Sequence, residues 1–321
     1  MSGPKEKPRP EAARTVFSDT DFVAPSPARA LDRILREGKP GSSWNDVRRL
    51  VHTGKVRVDG AVVTDAAHTV PAGAAVAIRM STPKATATGA LPRDAIVYGD
   101  AHVVVVRKPA GIATVPFEDE RDTLDRLVQG LLRKTARPGT SVAPLGVVQR
   151  LDKDTSGLLV FARTTTAKRD LQQQLRVHSV HRRYLAIAHG SVASRTFRSF
   201  LVADRGDGRR GSTNDARIGR ESVTHVRALE PLRGATLVEC ALETGRTHQI
   251  RIHLSEAGHP LLGERVYTRG YAGSLLDAPR LMLHAAELGF VHPVTRKEHR
   301  FEEPLPSDMA AVLARLRTDP A

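Results

Sequence analysis

Arg150, Asp152, Asp154, Thr155 and Ser156 fall close together in QRLDKDTSGLLVFAR (149–163), between apolar stretches at 145–148 and 158–161. A polar cluster at the edge of a buried strand is where a catalytic site is commonly built, and a carboxylate held there can act as a nucleophile or a base. LETGRTHQIRIHLSEAGHPLLGERVY (242–267) adds Arg246, His248, Arg251 and His253. Read as a strand, Gln249 to His253 sends His248 and His253 to opposite faces, and no cysteine or suitably spaced acid completes a tetrahedral set, so no metal is expected. Arg251 lies among apolar residues. A buried guanidinium needs a carboxylate, and Asp152 is the expected partner. HRRYLAIAHG (181–190) places Tyr184 at the start of an apolar strand behind basic residues.

A match to GxGxxG at Gly206, Gly208 and Gly211 is set in RGDGRRGSTNDARIGR (205–220). No helical apolar pattern follows, so the dinucleotide reading fails. The segment reads instead as a flexible, arginine-rich loop, an RNA-contacting insertion.

The elements around these residues follow from composition and periodicity. The 321 residues suit about two domains, and a net charge of +14 points to a polyanionic partner. A single cysteine, Cys240, excludes an internal disulfide and fits a reducing cytoplasm. No stretch has signal-peptide or membrane-spanning character, so no membrane partner is expected. Eight Phe, four Tyr and one Trp are too few for an open platform stacking many bases.

Residues 1–25 read as a disordered tail, 26–82 as a small α+β domain, 83–93 as a linker and 94–321 as the catalytic domain. In the small domain, Leu31, Ile34 and Leu35 predict a helix stopped by Gly38, and Val47, Leu50 and Val51 a second behind Ser43. An Asp59-Gly60 turn joins two short strands. Nine basic residues stand against five acidic ones there, and Arg48, Arg49, Lys55 and Arg57 gather at the helix-to-hairpin junction, where a phosphate backbone could be met. This arrangement resembles the αL RNA-binding module first described in a small-subunit ribosomal protein. The larger domain offers strands at 95–98, 102–107, 157–162, 184–189, 222–229 and 236–242 and helices at 124–133 and 167–176. Without regular strand–helix alternation, an α+β fold with a mixed, largely antiparallel sheet is expected.

Taken in order, QRLDKDTSG, the basic-Tyr segment and GRTHQIR resemble the RluA-type family of RNA pseudouridine synthases over about 225 residues, and KPAGIATVP (108–116) and LMLHAAEL (281–288) are similar to further family segments. The resemblance implies that Asp152 is the catalytic aspartate, Tyr184 the active-site tyrosine and Arg251 the basic residue beside the aspartate. It implies that Arg150 fills the vacancy left by an extruded base and that Ile250 and Leu283 wall the pocket. Gln149 stands where the family has His. Gln still donates and accepts hydrogen bonds but does not titrate near neutrality, so altered positioning is expected rather than lost activity.

The implied reaction breaks the bond from uracil N1 to the ribose and joins C5 to the same sugar carbon, with no electrons exchanged and no cofactor, nucleotide or metal required. Arg251 is expected to keep Asp152 ionised against burial, from a reference value of about 3.9. Whether the carboxylate attacks the anomeric carbon or removes a sugar proton stays open. Tyr184, neutral with a reference value of about 10, is better suited to stacking on uracil than to sole service as a base. The expected partner is structured RNA, with ribosomal favoured over transfer RNA, bound by a cytoplasmic monomer whose αL-like module adds affinity but no chemistry. Two rival readings fit parts of the same sequence. An aspartyl-phosphate phosphotransferase would need Mg²⁺ and a downstream acidic pair that the chain lacks. A noncatalytic RNA-binding or assembly protein keeping the fold is the other, made conceivable by Gln149.

Overall fold

The computed structural model describes residues 18–52, 54–63, 66, 68–80, 91–116, 122–137 and 141–317. Contacts divide the chain into two units, Met1–Thr86 and Ala87–Ala321. In the first, β1 (Thr20–Val23), β2 (Arg29–Ala30), α1 (Leu31–Gly38), α2 (Trp44–His52), β3 (Val56–Val58), β4 (Ala61–Val63), β5 (Thr69–Val70) and β6 (Ala75–Ile78) follow in turn. Leu31, Ile34 and Leu35 from α1 and Val47, Leu50 and Val51 from α2 are buried against Val56, Val76 and Ile78, because spacings of three and four residues put each set on one helix face. Ser43 Oγ accepts the Asp46 N–H at 3.1 Å and caps α2. Asp59 (φ 48°) and Gly60 (φ 81°) both take the positive φ that a two-residue hairpin turn demands.

The sheet order is β1-β6-β3-β4, with β2 and β5 paired separately. Strand β1 lies inside the segment expected to be a disordered tail: Thr20 to Val23 pair with Ile78 to Ala75, and the Phe22 ring packs against the small unit's core. The tail up to residue 17 and residues 83–90 of the expected linker at 83–93 lie outside the described residues.

The second unit contains β7 (Ile96–Gly99), β8 (Val103–Lys108), α3 (Leu124–Thr135), β9 (Gly146–Val147), β10 (Ser156–Ala162), α4 (Thr165–Arg176), β11 (His181–His189), β12 (Arg195–Val202), β13 (Gly211–Thr213), β14 (Arg220–Leu232), β15 (Ala235–Leu242), α5 (Gln249–Glu256), β16 (Leu283–Val291), β17 (Glu298–Glu302) and α6 (Ser307–Arg317). Its sheet runs β13-β12-β14-β15-β11-β16-β10-β8-β7, with β9 on β10 and β17 on β16. Among the described strands only β10 and β16 run parallel; the sheet is therefore mixed and largely antiparallel, as expected.

Alternation along the central strands feeds two cores. Val104 and Val106 of β8 and Leu159 and Phe161 of β10 face a core that includes α3, whereas Val103, Val105, Leu158 and Val160 face one that includes α4. Leu151, Tyr184, Ile250 and Leu283 join the α3-side core. The parallel contact sets Gly157 against Ala285. A Cβ on Gly157, whose φ is +112°, would fall 2.2 Å from the Ala285 carbonyl oxygen, so only glycine lets the loop before β10 enter the sheet here.

Two further expectations are corrected. Residues 249–253 are helical, not a strand: every residue from Gln249 to Leu254 is buried, and a helix covered on all sides carries no polar stripe to reveal its period. The 205–220 segment is not simply a loop, because Gly211–Thr213 pairs with β12 and Ser212 bonds Glu256 of α5 through its N–H (2.9 Å) and its hydroxyl (2.6 Å).

Candidate active site

The loop bearing Asp152 is braced from KPAGIATVP. The side chain of Lys108 is fully buried, and its Nζ donates to the carbonyls of Pro109 (2.9 Å), Lys153 (2.7 Å) and Thr155 (2.7 Å). Thr114 Oγ1 donates to the Leu151 carbonyl at 2.8 Å and accepts the Leu151 N–H at 3.1 Å. These bonds fix the backbone on both sides of Asp152, a role that sequence reading missed because a lysine and a threonine bonded to carbonyls leave no pattern. Lys108→Met would strand three carbonyls, that of Thr155 fully buried, and is expected to lower stability by about 2–5 kcal/mol, read from urea melts, with kcat falling while RNA binding holds.

Facing the loop, β15 leads through a turn into α5. Gln249 secures the turn: its Oε1 accepts from Thr244 Oγ1 (2.7 Å) and the Arg246 N–H (3.0 Å), and its Nε2 donates to the Val223 carbonyl (3.0 Å) and Thr224 Oγ1 (2.9 Å). His248, left-handed at φ 60°, starts the helix, and Ile250 and Arg251 follow on its first turn. His253 bonds Thr224 Oγ1 and Ser199 Oγ, each at 2.9 Å, so the two histidines serve separate hydrogen bonds.

Arg251 Nη1 stands 3.3 Å from Asp152 Oδ2. The pairing expected from sequence is present, but it is the lesser of two. Nε and Nη2 of Arg251 grip Glu264 side-on at 2.7 and 2.8 Å, and Glu264 Oε1 also accepts the N–H groups of Arg265 (3.0 Å) and Val266 (2.8 Å). Burial alone would raise Glu264, yet the Arg251 guanidinium and the backbone donors outweigh it and hold the carboxyl below its ordinary value. Burial likewise opposes the charge on Arg251, and Glu264 and Asp152 together raise it above the usual guanidinium value. Glu264 was not among the sequence candidates. Gly263 before it has φ +73°, and a Cβ there would meet the Arg280 carbonyl oxygen at 1.8 Å, so a glycine is required to deliver the carboxylate.

His248 Nε2 is 3.9 Å from Asp152 Oδ1, and its Nδ1 is 2.7 Å from the Tyr267 hydroxyl. Burial pushes His248 down to about 4 and Tyr267 up to about 12. Both are neutral at pH 7. A neutral ring carries one proton, and the tautomer that places it on Nε2 directs it toward Asp152 while Nδ1 accepts from the phenol.

A cavity of about 290 Å³ is lined by Gln149, Arg150, Asp152, Tyr184, Ile250, Arg251 and Leu283, with His248 and Arg182 on its wall. All six catalytic-domain candidates from the sequence therefore meet in one space. Arg150 is exposed and Gln149 half-buried. The Asp152 side chain keeps 20% of its surface accessible, whereas Tyr184 is buried within β11, not at its first residue, and burial raises its phenol further above 10.

In the N-terminal unit the basic candidates are partly engaged within their own fold. Arg48 Nε lies 3.4 Å from the buried Asp32, and Arg49 Nη2 3.1 Å from Asp46. Lys55 Nζ donates to the Met80 carbonyl and Arg57 Nη1 to that of Gly60, both at 2.8 Å. The Trp44 ring carries the guanidinium of Arg36 at 4.4 Å and that of Arg48 at 5.6 Å.

Residues 102–256 match the family model described as RNA pseudouridylate synthase. Ribosomal large subunit pseudouridine synthase D of Zymomonas mobilis is 38% identical over 293 residues, which is 87% of this chain and 91% of that protein. The chain belongs to the RNA pseudouridylate synthase family. An uncharacterized RNA pseudouridine synthase of Bacillus subtilis is also 38% identical, over 89% of this chain and 94% of its own. The solved structure of human RNA pseudouridylate synthase domain containing 4 shares the fold, with a TM-score of 0.57 at 24% identity over 70% of this chain and 93% of that one. Residues 30–76 match the S4 domain, which is the name the N-terminal module takes in place of αL. The protein is thus an isomerase that converts uridine to pseudouridine in RNA. No helix among the described residues is long and apolar enough to cross a membrane.

Proposed function

We propose that this chain is an RluA-type synthase that isomerises a uridine of structured ribosomal RNA, acting in the cytoplasm as a monomer without metal, nucleotide or other cofactor. The observation that carries the reading is the meeting of Asp152, Arg251 and Tyr184 in one accessible cavity. Relatives named for the large ribosomal subunit favour ribosomal over transfer RNA.

In this reading the target nucleotide leaves the RNA stack, Arg150 fills the gap, and uracil lies against Tyr184 between Ile250 and Leu283. The Asp152 carboxylate meets the sugar. The N1–C1′ bond breaks, the base turns, C5 bonds to C1′, the C5 proton is lost and N1 gains one. Arg251, oriented by Glu264, and the Nε2–H of His248 hold the carboxylate toward the ribose. Gln149 supplies a non-titrating contact at the rim of the cavity. Arg48, Arg49, Lys55 and Arg57 of the S4 domain meet the phosphate backbone.

Mapping pseudouridines in total RNA from cells with and without the protein tests this. A position lost from large-subunit RNA on deletion supports it; unchanged ribosomal RNA with a lost transfer-RNA position would overturn the substrate assignment. Because phosphate contacts dominate, raising salt from about 50 to 200 mM is expected to weaken RNA binding by roughly 10³-fold, measured by fluorescence anisotropy.

A further inference from the structure

Neighbouring arginines of β11 meet opposite fates. Arg183 faces away from the cavity and is neutralised twice, by Glu287 at 2.6 Å and Glu239 at 3.1 Å. Arg182 points the other way, two residues from Tyr184, and both line the catalytic cavity. It is 8% exposed, and among the described residues no carboxylate lies within ion-pair distance of it. Its Nη2 donates to the carbonyls of Leu242 (3.2 Å) and Glu243 (2.7 Å) at the end of β15, while its buried Nε has no hydrogen-bond partner.

A guanidinium withdrawn from water with no counter-ion is unfavourable unless something that binds supplies the charge. Gly245 leaves it room, since a Cβ there would fall 2.6 Å from Arg182 Nη1. Arg246 lines the cavity too, and among the described residues its one acidic lining residue is Asp152. Arg251 is already satisfied by Glu264, so Arg182 is the buried cation of this wall that still lacks an anion.

We propose that Arg182, with Gly245 and Arg246 beside it, forms an anion subsite that takes a phosphodiester flanking the swung-out uridine. The inference deepens the reading above and rests on it. Uracil and ribose are neutral, and the phosphodiester is the part of the nucleotide that carries the missing charge. Bound there, the phosphate ties the backbone to the strand that carries Tyr184 and fixes the sugar relative to Asp152. Burial also lowers the pKa of Arg182 below the ordinary guanidinium value, a penalty that an adjacent phosphate reverses.

The test uses the full-length protein and a stem-loop RNA carrying its target uridine, made with the native linkages or with a charge-neutral methylphosphonate at the linkage 5′ or 3′ to that uridine. Neutralising one of the two linkages is expected to lower wild-type kcat/KM by roughly 10- to 100-fold. Arg182→Met should lose a similar factor on native RNA and nothing further on that modified RNA, whereas Arg182→Lys should recover part of the rate. Losses that multiply, or a wild-type enzyme indifferent to both modified linkages, overturn the subsite; the second needs no variant to fold.

In a parallel titration, UMP but not uridine should shift the NMR resonances of the Arg182 guanidinium, and equal shifts from both count against it. If native RNA is never isomerised while UMP still shifts Arg182, the enzymatic reading fails and the subsite stands. Active enzyme with Arg182 indifferent in both arms removes the subsite alone.

Discussion

Asp152→Asn is expected to reduce pseudouridine formation by roughly 10⁴-fold or more while RNA affinity stays within about threefold of wild type. Asn has nearly the same shape, so the loop held by Lys108 and Thr114 has no reason to move. Arg251 does not lose its main counter-ion either, because its side-on pair is with Glu264 at 2.7 and 2.8 Å and its contact with Asp152 is a single one at 3.3 Å. What disappears is a negative oxygen able to attack C1′ or take a sugar proton, and both routes need it. Single-turnover assays on the target stem-loop, with anisotropy for binding, read the two quantities separately. Turnover within tenfold of wild type would remove Asp152 from the chemistry; a matching fall in affinity would make it a binding residue.

How much of this was legible in the sequence follows from the kind of signal each part leaves. The N-terminal helices and hairpin were readable because three-and-four spacing, a Ser cap and an Asp-Gly turn are local devices, and each appears where expected. Strand β1 was missed because four residues, TDFV, gain order only by pairing with β6, some fifty residues on. The helix bearing Arg251 was read as a strand because Ile250, Ile252 and Leu254 alternate with residues that are buried too. The Asp152–Arg251 pairing follows from the cost of a buried guanidinium and the roles of Asp152, Tyr184 and Arg251 from family-like segments, whereas the meeting of all three in one cavity could not be read from spacing. Glu264 escaped because a charge pair closed across a turn has no period, and Arg182 because an uncompensated cation is recognised only once its surroundings are known.

Glu264 then becomes the residue on which the geometry of Arg251 depends, and Glu264→Gln is expected to destabilise the protein by about 3–5 kcal/mol at pH 7. The Glu264 side chain is fully buried, and its carboxylate is gripped by Nε and Nη2 of Arg251 and by backbone N–H groups of the following turn. Gln offers one acceptor oxygen in place of two and turns an NH₂ toward donors, so a buried guanidinium is left with Asp152 as its nearest carboxylate. Drawn toward that oxygen, it would shift Asp152 from the ribose, and a misplacement near 1 Å costs about 10² in kcat/KM.

The pH dependence identifies the cause. Glu264 is held below its ordinary value in the folded protein, so at pH above about 4.3, where the unfolded chain is also ionised, its full contribution is present. As pH falls from there through the lower folded value, the unfolded chain takes up the proton first and that contribution is lost. Wild type should therefore shed stability across this acid window while the Gln variant sheds correspondingly less, so that urea-melt curves separated at pH 7 converge on acidification. Curves that stay parallel throughout would mean that Glu264 contributes shape and not charge, and that Arg251 is oriented by something else.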